Sequence, residues 1–61
     1  MSKATNELVA DIKIRYGRVH KDKLKIQQDM VALRDVHGWT QAQIASETGV
    51  PRATVKDWLT A

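Results

Sequence analysis

The stretch GWTQAQIASETGVPRATVKDWL, residues 38–59, decides the fold of this chain. Gly38 suits the left-handed conformation that ends a helix, because glycine enters it without steric cost. Thr40 and Gln43 then stand at the spacing of a capping box. The threonine oxygen accepts a backbone N–H at the third helical position, and the glutamine side chain reaches back. Trp39 before the cap and Ile44 after it occupy the two positions of a hydrophobic staple. Three signals therefore agree on one helix start. This helix is expected to run to about Thr48, where Gly49 breaks it. Pro51 lets another begin at once, since its missing N–H would have no partner in a first turn. The last helix, about residues 51–60, sets Val55, Trp58 and Leu59 on one face.

Working towards the N-terminus, residues 22–37 read as a helix with Ile26, Met30 and Leu33 on one stripe and Leu24 with Val31 on nearly the opposite one. The simplest arrangement sandwiches it. The first stripe faces the C-terminal helices, and the second faces an N-terminal helix from this chain or from a second copy. That N-terminal helix spans about residues 6–16, capped by Thr5 and stopped by Gly17, with Leu8, Val9, Ile12 and Tyr16 on one face. Ala10 and Ile14 lie on its other side. With no alternating strand pattern, the expectation is an all-α fold: one small four-helix domain over residues 1–61. Residues 1–20 form the N-terminal helix and basic arm, 22–37 the supporting helix, and 40–60 two helices joined by a tight turn.

Composition narrows the function classes. A chain of 61 residues has a marginal core, so a partner or second copy would help it. The sequence contains no cysteine, so packing alone holds the fold, as suits a reducing cytoplasm. It has neither the apolar run of a membrane span nor the core of a signal peptide. The positive charge is a local block. Residues 13–25, KIRYGRVHKDKLK, carry six lysines and arginines against Asp22 alone, and such blocks either meet phosphate or simply keep a face solvated. His20 and His37 have no partner at ligand spacing, so no metal and no cofactor is expected. Without an activated nucleophile, a phosphate-cradling loop or paired carboxylates in a cleft, an enzyme is not expected either. The initiating methionine favours a small complete protein over a piece of a recombinase.

Two short helices around a glycine turn, preceded by a third, make a helix-turn-helix. Gln41 to Thr60 resembles the twenty-residue unit of bacterial and phage regulators: Ala45 is small where the helices cross, Gly49 takes the turn, and Ile44, Val50, Val55 and Trp58 fill the apolar positions. The string GVPRATVKDWL is also similar to recognition segments of homeodomain-like domains, including those of transposases and invertases. Thr48 departs from the pattern, which has an aliphatic residue there, and Pro51 stands where serine or threonine often caps the second helix.

The resemblance implies that the last helix enters a DNA major groove with its N-terminal residues nearest the bases. Its outward residues are Arg52, Ala53, Lys56, Asp57 and Thr60. Arg52 suits guanine O6 and N7, Ala53 a thymine methyl, and Lys56 a base or phosphate; Asp57 suits a cytosine amino group or a local ion pair. Thr40 and Gln41, at the positive end of the first motif helix, are placed for phosphate. Arg15, Arg18 and Lys21 are candidates to cross the phosphate backbone or enter a minor groove. The tryptophans read as core.

The expected function is a cytoplasmic, sequence-specific regulator of bacterial or phage type, a repressor acting as a homodimer on a two-fold operator in double-stranded DNA. Ile14 or the Leu24 and Val31 surface would supply its dimer contact, and no small-molecule ligand is evident. The alternatives are a recombination accessory or excision factor that bends DNA, or a small protein-binding inhibitor of RNA polymerase or a sigma factor.

Overall fold

A computed structural model describes residues 3–18 and 21–60. Four helices follow one another: α1 Lys3–Tyr16, α2 Lys23–Asp35, α3 Gln41–Thr48 and α4 Arg52–Thr60. There is no strand among the described residues, so the domain is all-α as its periodicity implied. No helix among these residues is long and apolar enough to cross a membrane.

The helix ends follow local chemistry. Asp22 caps α2 by accepting the Lys25 N–H at 3.2 Å. After α2, Gly38 takes φ 71°, and the Trp39 N–H returns to the Leu33 carbonyl at 2.9 Å, which satisfies one of the carbonyls a helix end leaves unpaired. The Thr40 hydroxyl oxygen accepts the Gln43 N–H at 3.1 Å, forming the threonine half of the capping box. Trp39 and Ile44 are both buried beside it, as the staple requires. At the far end of α3, Gly49 has φ 76° and its N–H reaches the Ala45 carbonyl at 2.9 Å.

Three expectations are corrected. Thr5 does not cap α1, which begins at Lys3; Thr5 lies inside the helix and is buried. Its position four residues before Val9 and seven before Ile12 puts it on their stripe, so it packs with them. Leu24 is not covered by α1. Ile26, Met30 and Leu33 are fully buried and Val31 is half-buried against the core, but Leu24 is 67% exposed. The third concerns Pro51, which precedes α4 instead of opening it. Its carbonyl accepts the Val55 N–H at 3.0 Å, and the helix begins at Arg52.

What α1 meets on α2 is partly polar. Asp29, in α2, is buried at 2% exposure and takes the Lys25 ammonium on Oδ1 at 2.9 Å. Opposite, on α1, both oxygens of Asp11 accept from Arg15 Nε, at 2.8 and 2.9 Å. Burial of Asp29 and the Asp11 carboxyl beside it push the Asp29 pKa up to about 6 from 3.8. The hydrogen bond with Asp29, helped by the Arg15 guanidinium, holds Asp11 below the usual carboxylate range. A raised carboxyl pKa means that the folded chain holds a proton the unfolded chain has released. The stability from Asp29 is therefore present at low pH and lost as pH rises towards and through about 6. That from Asp11 runs the other way and is lost only when pH falls through its own, lowered pKa. The urea midpoint should be higher at pH 5 than at pH 7.5, and Asp29→Asn should flatten that difference; unfolding curves at the two pH values check it.

Candidate nucleic-acid interface

The face of α4 is set by what its other side buries. Val55 and Leu59 are buried in the common core with Ile26, Met30, Leu33 and Ile44. At 100° per residue this turns Arg52, Ala53, Lys56, Asp57 and Thr60 outward, and all five are exposed. Arg52, Lys56 and Asp57 make no ion pair with any described residue, so their charged heads are free. The local pair considered for Asp57 does not form. Thr60 differs, because its hydroxyl donates to the Lys56 carbonyl at 2.9 Å in its own helix.

Two devices that the residue pattern did not reveal hold α4 at its angle. The buried Thr48 hydroxyl donates to the Ile44 carbonyl at 2.6 Å, and its oxygen accepts the Val50 N–H at 3.3 Å. A side chain that departs from the apolar pattern thus closes the turn and satisfies a buried N–H. At the other end, α2 reaches across to the last carbonyls of α4. Gln27 Nε2 donates to the Trp58 carbonyl at 3.1 Å and an Arg34 terminal nitrogen to the Leu59 carbonyl at 3.3 Å. Arg34 is itself steadied by Asp35, 2.8 Å from its Nε, and holds the Asp35 carboxyl below its ordinary pKa.

The basic block separates into two sets. Arg15 faces inward, paired with Asp11 at 2.8 Å and Asp22 at 3.2 Å, and is committed to the α1–α2 junction. Lys25 is likewise committed to Asp29. Arg18, Lys21 and Lys23 are exposed. The Lys21 ammonium lies 4.9 Å from the centre of the Tyr16 ring and that of Lys23 lies 5.7 Å from the Trp58 ring. Tyr16 and Trp58 meet edge to face, with centroids 5.8 Å apart at 61°, which docks the end of α1 against α4. Trp58 is thus half-buried at the rim of the core, while Trp39 lies inside it. At the head of α3, the Thr40 oxygen is used in its cap and Gln41 is half-buried. The first N–H groups of that helix have no intrahelical partner. His37 is half-buried in the turn after α2; His20 lies outside the described residues.

Residues 25–61 match the family model described as Sigma-70, region 4. The chain belongs to the sigma-70 region 4 family. The matched part takes in almost all of α2 together with α3 and α4, and α1 precedes it. Sigma-70 region 4 is a helix-turn-helix DNA-binding domain, in agreement with the resemblance carried by Gln41 to Thr60. No curated protein and no solved structure matches the chain.

The turn of this region 4 domain gives a direct test. Thr48→Val keeps the side-chain shape but leaves the Val50 N–H buried without a partner, at a cost of about 1–3 kcal/mol. Chemical denaturation should show that loss, with the slope of the transition unchanged.

Proposed function

We propose that this chain is a sequence-specific double-stranded DNA-binding transcription regulator, a repressor of bacterial or phage type acting in the cytoplasm, and that it binds without catalysing. The observation that carries the reading is the outward face of α4, where Arg52, Lys56 and Asp57 are exposed and form no ion pair among the described residues, opposite the buried Val55 and Leu59. A polar face with free donors and one free acceptor, on the second helix of a helix-turn-helix, suits the edges of bases in a major groove. Arg52, in the first turn, pairs with a guanine; Ala53 meets a thymine methyl; Lys56 and Asp57 read or support the next positions. Thr40 and Gln41 at the head of α3 take one phosphate strand. Arg18 and Lys21, with Lys23, take phosphate beside α4, whereas Arg15 contributes by holding the junction behind them. Membership of the sigma-70 region 4 family favours transcription over recombination as the setting.

Selection from a random DNA pool should enrich one site. Arg52→Ala should then relax preference at one base position by about 1–3 kcal/mol, while Lys21→Ala should weaken all sequences alike and lower the salt slope by about 1. If no site is enriched, the reading fails.

One short recognition helix buries little surface on DNA, so a two-fold dimer is the expected active form. Ile14 and Leu24, at 58% and 67% exposure, supply its apolar contact. Light scattering at micromolar concentration, with and without the selected site, should give twice the mass of the chain, and Ile14→Lys with Leu24→Lys should return the monomer.

A further inference from the structure

Two cations are drawn onto one aromatic corner where the end of α1, the start of α2 and α4 come together. The Lys21 ammonium lies 4.9 Å from the Tyr16 ring centre, and that of Lys23 lies 5.7 Å from the Trp58 ring centre. The rings themselves touch edge to face, with centroids 5.8 Å apart. Neither lysine forms an ion pair with a described residue. Asp22, which stands between them in sequence, is already spent: its Oδ2 takes the Arg15 guanidinium at 3.2 Å and its Oδ1 the Lys25 N–H at 3.2 Å. The two charges are therefore held in place without being neutralised.

That combination matters because a lysine stem loses much rotamer freedom when its head is fixed by a ligand. Tyr16 and Trp58 are half-buried against the core, so each ring gives its lysine a firm resting place. An ammonium carries three donors, and a ring on one side leaves N–H groups on the other for an anion. Both lysines are exposed. Trp58 follows Arg52 by six positions, which is about 9 Å along a helix axis, and a major groove is about 12 Å wide. A cation beside Trp58 thus falls near the wall of a groove whose bases meet Arg52, where the phosphates are. The rings cross at 61° with a lysine over each, so they offer no flat platform on which an unpaired base could stack.

We propose that Tyr16 and Trp58 are positioning residues for duplex DNA, which hold Lys21 and Lys23 in place for phosphates of the strand bordering the groove that α4 enters. The assignment rests on α4 meeting duplex DNA, and it gives α1, which precedes the region 4 match, a part in binding.

The test has an arm without DNA and an arm with it. In NMR spectra of the free chain, the ε-methylene protons of Lys21 and Lys23 should lie upfield of those of Lys13 and Lys56, which have no ring beneath them. Tyr16→Leu should remove the Lys21 displacement and Tyr16→Phe should keep it. In titrations of a labelled random-sequence duplex at fixed salt, Tyr16→Leu should weaken binding about two- to fivefold, the size of an exposed cation–π contact, and Tyr16→Phe should restore it. In a chain carrying both Lys21→Gln and Lys23→Gln, Tyr16→Leu should change nothing, whereas a merely structural tyrosine would weaken binding equally in both backgrounds. Undisplaced lysine protons, no rescue by Tyr16→Phe, or an equal loss in the lysine-free background would each overturn the proposal. If circular dichroism shows that Tyr16→Leu does not fold, undisplaced protons in the unsubstituted chain decide against it. Because phosphates are contacted on any sequence, these outcomes stay readable even where pool selection enriches no site, and only failure to bind any duplex removes this proposal and the DNA reading together.

Discussion

Helix α4 is nine residues long, below the length at which a helix holds itself together in water. Everything on its outer face therefore depends on the burial of Val55 and Leu59 against Ile26, Met30, Leu33 and Ile44. The neighbouring restraints act on that contact from both ends. The left-handed Gly49 and the Thr48 hydroxyl fix where the helix starts, and Gln27 and Arg34 hold its last carbonyls. A helix clamped in this way loses little freedom when it docks, which favours binding over reordering.

Helix α1 adds a second layer. It lies before the part of the chain that matches region 4, yet it joins the same core through Val9 and Ile12 and touches α4 through Tyr16 and Trp58. Its contact with α2 is polar as well as apolar, with Arg15 bridging Asp11 and Asp22 beside the Lys25–Asp29 pair. Part of the basic block is consumed in that junction. The charge left at the surface is correspondingly more local than the sequence suggests.

Most of the fold was legible because its determinants are local. Gly38 and Gly49 announce positive φ, Thr40 announces a cap, and the spacing of Ile44, Val55 and Leu59 gives the inward faces. The outward residues of α4 follow from the same periodicity. Part of what stayed hidden depends on contacts distant in sequence, and part on side-chain chemistry that polarity alone does not show. Asp29 reads as a solvent residue until α1 covers it, and the Gln27 and Arg34 bonds to α4 span 31 and 25 positions. Arg15 looks like a free cation within a basic run, although Asp11 one turn back in its own helix and Asp22 at the head of α2 pair with it. Thr48 departs from the aliphatic pattern, yet it is buried with its hydroxyl satisfied on both sides, which pattern matching by polarity does not register.

The free heads of Arg52, Lys56 and Asp57 have a consequence for how such a domain changes over generations. None of the three is tied to the scaffold that holds α4, and surface substitutions away from structural ties usually shift stability by less than about 0.5 kcal/mol. Their identities can drift almost independently of the fold. A lineage carrying this architecture can acquire a new preference by exchanging a few side chains, while the core, caps and turn beneath them stay under a separate and stricter selection.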